Sequence, residues 1–596
     1  MPKIEFIREN ISIQAEMNQN LLELMRLAGL TPDAPCGGQG KCGKCRVRVY
    51  RGQDWEEVLS CQETVQELTE KYKGQKPFAY QIETIPRESQ HRILLQGSGR
   101  KVELDPDLHQ VIVTVPPCPK GDSASDWTRL CQALGKEYPP RLELLSNLAP
   151  LLRRTGRKVT VVYTQEEILD ILDPGSHDRL SLLQAAFDIG TTTVAGFLLD
   201  AETGEILATA SSLNPQTEYG GDVIMRANYA LEHGTSELSS CIRSLMGRMI
   251  LEMCSKTGAM PQQIYQVSAV GNTCMHHLLL DISPDSLVFA PYNPVTNLPM
   301  KLKASRLLEN TNPNAQLLVL PVIAGFVGAD TVGCLLAVNM EEEEKMTLMI
   351  DIGTNGEIVL GNKKRRITCS TAAGPAFEGA KIFCGMRGAE GAVDHVTLTE
   401  KDGKKKLCYS VIGGGKPLGI CGSGLIDLVA RLLDLGQIDD SGRLEESENT
   451  IIVDNRPAWL LFPAQETQNG KAIFLTQQDI REVQLAKGAM AAGMSLLADK
   501  LGITLDQVEQ VFIAGAFGNY MDPQSACRIG LLPPQLKDRI RSVGNAAGEG
   551  ARFALLSSQE RMRAARLALS TEFLELAALP EFQDRFVDEM EFPEEL

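Results

Sequence analysis

The chain has 596 residues, of which 43% are hydrophobic and 23% are charged, so it is long enough for about four globular domains. Its formal net charge of −17 argues against a nucleic-acid-binding protein, which needs a basic surface, and against contact with an anionic membrane. No apolar run approaches the length of about 18 residues that marks a transmembrane helix. The first residues lack the pattern of a signal peptide, so we expect a cytoplasmic protein.

The N-terminal region has the pattern of a small α/β domain, which we place at residues 1–85. Lys3–Ile7 and Ile11–Ala15 predict short strands, and Asn20–Leu27 has the apolar spacing of a helix. A loop rich in glycine and cysteine follows, and Arg46–Tyr50 predicts another strand. This order of elements is that of a β-grasp ferredoxin.

Four cysteines in this region form a candidate metal site. Cys36, Cys42 and Cys45 have the spacing C-x5-C-x2-C, and Cys61 follows after a further 15 residues. Four thiolates can ligate a [2Fe–2S] cluster, and the glycines between them allow the tight turns that such a loop requires. Zinc is the alternative, but structural zinc sites more often pair two C-x2-C units, and this region has one. We therefore predict an iron–sulfur cluster.

Residues 86–183 carry few chemical signals. Val111–Val115 and Val159–Tyr163 predict strands, and the prolines at 116–119 resemble those of a linker. We expect a linker followed by a small middle domain.

An α/β rhythm begins at Ala185, and it contains a loose internal repeat. Ala186–Thr193 and Met349–Gly356 are both apolar strands that lead into Asp-Ile-Gly-Thr. Two such elements indicate two similar subdomains. We predict a domain at 184–570 with lobes at 184–345 and 346–570, followed by an acidic tail at 571–596.

The two repeated turns are candidate phosphate-binding hairpins. Backbone amides and hydroxyl groups in a Gly/Thr turn can contact phosphate oxygens, and an aspartate at a strand end can hold Mg²⁺. One such motif alone is as often an ordinary β-turn, but two of them can grip a triphosphate from both sides. The candidate residues of the first hairpin are Asp188, Gly190, Thr191, Thr192 and Thr193, and those of the second are Asp351, Gly353, Thr354, Asn355 and Gly356.

Two further glycine-rich segments complete the nucleotide pattern. Val511–Gly518 is an apolar strand that ends in small residues, so Gly515, Ala516 and Gly518 are candidates for contact with adenosine. Gly422, Ser423 and Gly424 open a helical stretch and are candidates for contact with phosphate or ribose, although this segment is also a plausible helix-entry turn. In this order, the segments resemble the superfamily of two-lobed ATPases that includes acetate and sugar kinases, Hsp70 and actin.

A longer series of motifs resembles one family. The segments DIGTTT, NPQ with GGDV, GNTCMH, GFVGAD, DIGTNGE, AAGPAFEGA, GICGSGLID and AGAFG occur in that order from residue 188 to residue 518. Together with CGGQGKCGKC, they resemble the reductive activators of corrinoid-dependent proteins. This resemblance implies a [2Fe–2S] cluster, ATP and Mg²⁺. It also implies ATP-dependent transfer of one electron that reduces Co(II) to Co(I) in a corrinoid protein of a methyltransferase or O-demethylase system.

The resemblance also suggests roles and partners. Asp188 and Asp351 are expected near Mg²⁺, and Glu357 or Asp330 is expected to orient the attacking water, by analogy with other nucleotide hydrolases. The expected partners are a corrinoid protein and a low-potential electron donor, and a homodimer stays open. One alternative is a small-molecule kinase of the same superfamily with a redox-sensing ferredoxin domain. Another is an electron carrier whose nucleotide fold is degenerate.

Overall fold

The computed structural model describes residues 2–28, 30, 38, 40, 45–74, 77–84, 97–175, 181–374, 376–379, 381–401, 404–518 and 520–594. These residues form six β-sheets. None of the helices among them combines the length and the apolar sequence needed to cross a membrane.

The N-terminal domain is a five-stranded sheet packed against a helix, as the sequence predicts. The strand order is β2-β1-β5-β3-β4, in which β1 and β5 are parallel and the other pairs are antiparallel. Leu21 and Leu24 of the helix are fully buried against the sheet. The elements are β1 (Lys3–Phe6), β2 (Ile11–Gln14), α1 (Leu21–Leu27), β3 (Arg46–Tyr50), β4 (Trp55–Leu59), α2 (Val65–Glu70) and β5 (Tyr80–Thr84).

The second domain is a three-stranded antiparallel sheet, ordered β6-β7-β8, with two amphipathic helices against it. Its first and second strands match the two that the sequence predicts. The segment before it is fixed to the C-terminal part of the chain, because Arg100 forms an ion pair with Glu560 at 2.8 Å. The elements are β6 (His109–Thr114), α3 (Asp126–Leu134), α4 (Leu142–Arg154), β7 (Lys158–Tyr163) and β8 (Ile168–Leu172).

The first lobe has a six-stranded sheet ordered β11-β10-β9-β12-β14-β13. Its central strands β9 and β12 are buried along nearly their whole length, as expected for strands that helices cover on both faces. The elements are β9 (Leu183–Ile189), β10 (Thr193–Asp200), β11 (Ile206–Leu213), α5 (Val223–His233), α6 (Ser236–Thr257), β12 (Ile264–Gly271), α7 (Thr273–Leu280), α8 (Asp285–Val288), β13 (Met300–Lys303), β14 (Gln316–Val319) and α9 (Ala329–Ala337).

The second lobe has a six-stranded sheet ordered β25-β24-β15-β16-β17-β26 and two smaller sheets, β19-β18-β20 and β21-β22-β23. Its elements are β15 (Thr347–Ile352), β16 (Gly356–Gly361), β17 (Arg366–Thr371), β18 (Ala392–Lys401), β19 (Lys404–Val411), β20 (Gly419–Ile420), α10 (Gly422–Asp434), β21 (Thr450–Val453), β22 (Arg456–Phe462), β23 (Ile473–Thr476), α11 (Gln477–Leu501), β24 (Gln510–Ala514), α12 (Gly515–Gly518), α13 (Pro523–Arg528), β25 (Ile540–Gly544), α14 (Ala546–Leu556), α15 (Ser558–Ser570), β26 (Thr571–Phe573) and α16 (Pro580–Asp588).

The two large sheets share one topology, which agrees with the internal repeat in the sequence. In the first lobe, β9 pairs antiparallel with β10 and parallel with β12, and β11 and β14 extend the two sides. In the second lobe, β15 pairs antiparallel with β16 and parallel with β24, and β17 and β25 extend the two sides. The Asp-Ile-Gly-Thr turns therefore occupy equivalent positions, at the end of the central strand of each lobe.

The C-terminal residues belong to the second lobe and do not form a separate tail. Strand β26 pairs parallel with β17, and α16 packs against α11. Phe592 is 3% exposed, and the Lys487 ammonium lies over its ring. The sequence analysis treats 571–596 as a tail because of its acidic composition. Its apolar residues, which are spread too thinly to form an obvious pattern, attach it to the lobe.

Helices α9 and α14 join the two lobes through a close backbone contact. A methyl group at Gly550 would lie 2.2 Å from the carbonyl oxygen of Gly333, and one at Gly333 would lie 2.7 Å from that of Ala547. Both glycines are therefore required by packing, because a Cβ atom cannot approach a carbonyl oxygen so closely. Side chains from both helices and from both large sheets form one shared core.

We predict that Gly550→Ala forces the two helices apart and lowers the free energy of unfolding of the lobes by about 1–3 kcal/mol, as overpacking of a core does. Differential scanning calorimetry measures the effect. Gly247→Ala, in α6, is the control because its methyl group would lie 3.3 Å from a side-chain amide, and we expect a change of about 1 kcal/mol or less. Equal melting temperatures for the Gly550 variant and the unaltered protein would contradict the packing role.

Candidate functional site

The two Asp-Ile-Gly-Thr hairpins face each other across one cavity of about 560 Å³ between the lobes. Each hairpin follows a buried central strand, which fixes the position of its aspartate. The lining combines carboxylates, threonine hydroxyl groups and exposed glycine backbone. It therefore offers donors for phosphate and oxygen ligands for a cation in the same space.

Most of the predicted site residues lie at this cavity. The wall includes Asp188, Gly190, Thr191, Thr192, Thr193, Asp330, Asp351, Gly353, Thr354, Asn355, Glu357, Gly422, Ser423 and Gly515. It also includes residues that the sequence did not single out as site residues, namely Asn272, Glu378, Arg387, Asp394, Tyr520 and Asn545. The structure thus brings together residues from seven of the eight motifs in the series.

Three predicted glycines lie away from the wall, and packing explains each of them. A methyl group at Gly424 would lie 2.2 Å from the carbonyl oxygen of Val393, so this glycine lets α10 approach β18. A methyl group at Gly356 would lie 2.8 Å from the Thr371 hydroxyl, and one at Gly518 would lie 2.4 Å from the Ile513 side chain.

The AGAFG segment contains two further predicted site residues, Gly515 and Ala516. Gly515 has φ +86°, and a methyl group there would meet the Asp351 carboxylate at 2.7 Å. It therefore lines the cavity in a conformation that favours glycine. The side chain of Ala516 lies outside the described residues.

Four carboxylates crowd the floor of the cavity, and their pKa values are raised. Burial and the neighbouring Asp330 and Asp351 raise the pKa of Asp188 to about 8. Burial, together with Asp351, raises the pKa of Asp330 to about 7, and burial raises that of Asp351 to about 6. Burial likewise raises the pKa of Glu357 well above its usual range. Such a cluster resists ionisation until a cation enters it.

The oxygen ligands of the cavity fit Mg²⁺ better than a metal ion whose ligands all come from the protein. Among the described residues, no three His, Cys, Asp or Glu side chains are placed to hold one ion together. Mg²⁺ is commonly bound through one or two carboxylates, with substrate phosphates and water as the remaining ligands. Asp188 and Asp351, one from each lobe, are the carboxylates at the ends of the two central strands.

The backbone of the first hairpin is held from behind by two asparagines of the motif series. Asn214, in the NPQ segment, donates to the carbonyl oxygen of Gly190 at 2.9 Å. Asn272, in the GNT segment, donates to the Thr191 hydroxyl at 2.9 Å. Its side-chain oxygen accepts from the backbone N–H of Met275 and so caps α7. The sequence showed these segments only as a series, whereas the structure shows that they orient the hairpin.

Arg226 is the most unusual support of this hairpin, because its guanidinium is fully buried and no carboxylate among the described residues forms a hydrogen bond with it. It donates to the carbonyl oxygen of Thr191 and to that of Gly220, and it also contacts the Met275 sulfur. Burial lowers its pKa to about 10, so it remains charged at neutral pH. A buried positive charge behind this hairpin favours an anion in front of it.

Asn545 gives the cavity a contact that the sequence did not reveal. Its side chain caps the N-terminus of α14 by accepting from Gly548 N at 2.7 Å, and it also hydrogen-bonds Asp188. Nothing near Asn545 resembles a nucleotide motif, so only the helix crossing places it here.

Two of the four predicted cluster ligands come together in the N-terminal domain. The sulfur atoms of Cys45 and Cys61 are 3.2 Å apart, and both residues are buried beside Leu22. Burial, together with Cys45, raises the pKa of Cys61 to about 11, so this pair gains from a cation that stabilises thiolates. The donor chemistry therefore fits a metal cluster. Cys36 and Cys42 lie outside the described residues.

The N-terminal domain contacts the first lobe near the same hairpin. Arg26, on the helix that carries Leu22, donates to the carbonyl oxygen of Glu218, and its guanidinium lies over the ring of Tyr219. Gly220, whose carbonyl accepts from Arg226, is the next residue. The cysteine pair and the first Asp-Ile-Gly-Thr hairpin are thus joined by a short run of direct contacts.

Four family models together cover most of the chain. Residues 5–66 match the 2Fe-2S iron-sulfur cluster binding domain, and residues 97–179 match the RACo linker region. Residues 183–343 match the RACo middle region. Residues 345–596 match the C-terminal domain of RACo, the ASKHA domain, which is the actin-like ATPase fold.

Two similar proteins match this chain over nearly its full length, and a third matches about two thirds of it. The chain is 35% identical over 582 residues to the corrinoid activation enzyme RamQ of Eubacterium limosum, covering 94% of each protein. This chain belongs to the family of reductive activators of corrinoid proteins. A solved structure of a reductive activator for corrinoid, iron–sulfur protein is 33% identical, with a TM-score of 0.75 over 100% of this chain and 98% of that one. The [Co(II) methylated amine-specific corrinoid protein] reductase of Methanosarcina barkeri is 25% identical over 436 residues, which cover 68% of this chain and 76% of that protein.

Within this family fold, we predict that Arg226→Met weakens Mg·ATP binding about tenfold or more. Loss of the guanidinium leaves the carbonyl of Thr191 without this donor and removes a positive charge behind the hairpin, and a hydrogen bond to a charged group contributes about 1.5–3 kcal/mol. Isothermal titration calorimetry measures the affinity.

Arg243→Met is the matched control. Arg243 is in the same lobe and also donates to a backbone carbonyl oxygen, but that oxygen belongs to Leu279 and not to the hairpin. We expect it to lower the melting temperature but to keep the nucleotide affinity. A similar loss of affinity in both variants would reduce Arg226 to a general stabilising residue.

Proposed function

We propose that this protein catalyses the ATP-dependent reductive activation of a corrinoid protein. In this activity, a [2Fe–2S] cluster supplies one electron that reduces Co(II) to Co(I) for a corrinoid-dependent methyltransferase or O-demethylase system. The observation that carries the proposal is the pair of equivalent hairpins on one acidic cavity, in the same chain as the paired cysteines. The names of the similar proteins support the same activity.

The nucleotide roles follow from positions at the cavity. Asp188 and Asp351 would hold Mg²⁺, and the backbone and hydroxyl groups of the two hairpins would bind the phosphates. Gly515 and the start of α10 would receive the adenosine end. Glu357 is buried deep in the cavity, where the Ser370 hydroxyl is 3.4 Å from its carboxylate, and we assign it to orienting the attacking water, with Asp330 as the alternative.

Cys36, Cys42, Cys45 and Cys61 would be the ligands of the cluster. The buried positions of Cys45 and Cys61 support this assignment, because burial beside Leu22 keeps water away from two of the four sulfurs. Exclusion of water and hydrogen bonding to sulfur are the main means by which a protein sets a cluster potential.

Hydrolysis of ATP gives the activity a source of free energy. Clusters of the plant type have potentials near about −400 mV. Each 100 mV of uphill transfer requires about 2.3 kcal/mol per electron. Closure of the lobes on ATP would change the affinity for the corrinoid protein, which couples the two events without a shared site. The further partners are a low-potential electron donor and, in a homodimer, a second copy, and we place the protein in the cytoplasm.

We predict that the anaerobically purified protein contains about two irons and two sulfides per chain and gives a rhombic EPR signal on reduction. Cys45→Ser removes a cluster ligand, so it should abolish the signal and the ATP-dependent appearance of Co(I) in a corrinoid protein, followed by visible spectroscopy. Cys118→Ser is the control, since Cys118 is exposed in the second domain.

The same variants separate the proposal from a kinase. A small-molecule kinase with a redox-sensing domain would transfer phosphate in the Cys45 variant and would need no corrinoid. Zinc or no metal in the unaltered protein would contradict the redox function.

We also predict that Glu357→Gln lowers corrinoid-stimulated ATP hydrolysis about 100-fold, which is the scale of general acid–base catalysis. The amide keeps the shape of the side chain but orients water poorly. Phosphate release in single turnover measures the step, and ATP affinity should change little. The exposed Glu390→Gln is the control. Full activity in the Glu357 variant would move the role to Asp330.

A further inference from the structure

Glu378 joins the two phosphate hairpins directly. One carboxylate oxygen accepts a hydrogen bond from the Thr192 hydroxyl at 2.6 Å, and the other accepts from the Thr354 hydroxyl at 2.6 Å. Thr192 belongs to the first lobe and Thr354 to the second. A single side chain therefore spans the cleft at the two turns that face the cavity.

This arrangement uses the donors that a phosphate would need. A threonine hydroxyl has one proton, so it can donate either to Glu378 or to a phosphate oxygen, but not to both. A carboxylate and a phosphate are both anions with two or more acceptor oxygens, and both favour donors held at fixed positions. Placed side by side, they also repel each other.

The two neighbours of Glu378 are anchored by packing, so we attribute its release to a rotation of the side chain. Phe377, the preceding residue, is 3% exposed and packs in the core of the second lobe. Gly379 has φ +72°, and a methyl group there would lie 2.5 Å from the carbonyl oxygen of Met386, which ties the turn to the next segment. The Glu378 side chain is thus carried on an anchored turn of the second lobe.

We propose that Glu378 is an interlobe clasp: without nucleotide, it accepts the hydrogen bonds of the two threonine hydroxyl groups that would otherwise bind phosphate. A nucleoside triphosphate displaces the Glu378 carboxylate when it binds. The proposal rests on the proposed function, since it takes the hairpins as the phosphate site.

The clasp has a physical purpose. In their ionised forms, Asp188 and Asp351 would repel each other across the cleft, and Arg387 is the one cationic side chain among the described residues of the wall. Two hydrogen bonds from opposite lobes to one carboxylate oppose the opening of the empty cleft. When a triphosphate and its cation arrive, they take over both contacts, so the lobes stay together while the occupant changes. The clasp also sets the apparent affinity for nucleotide, because only the fraction of molecules with a released clasp can bind.

The test compares the affinity of the full-length protein and its variants for adenylyl imidodiphosphate with Mg²⁺ by isothermal titration calorimetry. Glu378→Ala removes both contacts, and we expect it to bind the analogue about tenfold more tightly. Glu378→Gln keeps the shape and one acceptor, and we expect a smaller gain. The Gln variant also serves if the Ala variant is unstable.

Asp394→Asn is the matched control for charge. Asp394 lines the same cavity, and its carboxylate accepts from the Ser410 hydroxyl at 2.5 Å, with no contact to either hairpin among its described hydrogen bonds. This variant removes one negative charge from the cavity without touching the clasp. We expect a smaller gain in affinity than in Glu378→Ala, because this variant relieves only the repulsion between a carboxylate and the phosphates and leaves both hydrogen bonds of the clasp in place.

Hydrogen exchange of the nucleotide-free proteins tests the clasp without a ligand. Peptides that contain residues 190–193 and 353–356 should exchange several-fold faster in Glu378→Ala than in the unaltered protein, and the difference should vanish when the analogue is bound. Unchanged exchange in both hairpins would overturn the clasp.

The affinities distinguish the remaining outcomes. Weaker binding in Glu378→Ala would make Glu378 part of the metal–nucleotide complex and overturn the proposal. Equal tight binding in all proteins would overturn the competition alone. Absence of binding in the unaltered protein and in every variant would overturn both the competition and the proposed nucleotide site.

Discussion

The backbone contact between α9 and α14 is the constraint on which the cleft depends. Gly333 and Gly550 let the two helices approach until a carbonyl oxygen lies where a Cβ atom would otherwise be. Asp330 lies in the first turn of α9, and Asn545 caps α14, so the crossing of the helices delivers both side chains to the cavity. Larger residues at the crossing would separate the helices, and with them the groups that converge on Asp188.

The cavity combines two electrostatic demands that only a ligand with its cation can satisfy together. Four crowded carboxylates have raised pKa values because burial disfavours their charged forms and, for all of them except Asp351, neighbouring carboxylates add repulsion. In the same wall, hydroxyl groups and the backbone supported by Arg226 favour an anion. A magnesium–triphosphate complex would supply a cation to the first group and an anion to the second. Glu378 satisfies only the second, which is why it can serve as a clasp but cannot replace the complex.

The iron–sulfur domain is attached at a point that matters for coupling. Leu22 packs beside Cys45 and Cys61, and Arg26, one turn further along the same helix, binds the turn at Glu218 and Tyr219. From that turn, contacts lead through Gly220 and Arg226 to the first phosphate hairpin. If nucleotide binding biases the position of this hairpin, it would also bias the contact that holds the domain, and the coupling free energy would be the same in both directions.

The sequence by itself determined the chemistry that local segments carry. The cysteine spacing, the repeated Asp-Ile-Gly-Thr turns and their apolar strands predicted the ferredoxin domain, the two lobes and most of the cavity wall, because each pattern lies within a few consecutive residues. It misassigned residues 571–596 to a tail, and it grouped Gly356, Gly424 and Gly518 with the wall, since a glycine required for packing and one required by a ligand look alike in sequence. Only the tertiary structure decided the roles of Arg226, Asn545 and Glu378. The contact from Thr192 to Glu378 joins residues 186 positions apart, and no local pattern encodes which distant side chain a fold will bring to a hydroxyl group.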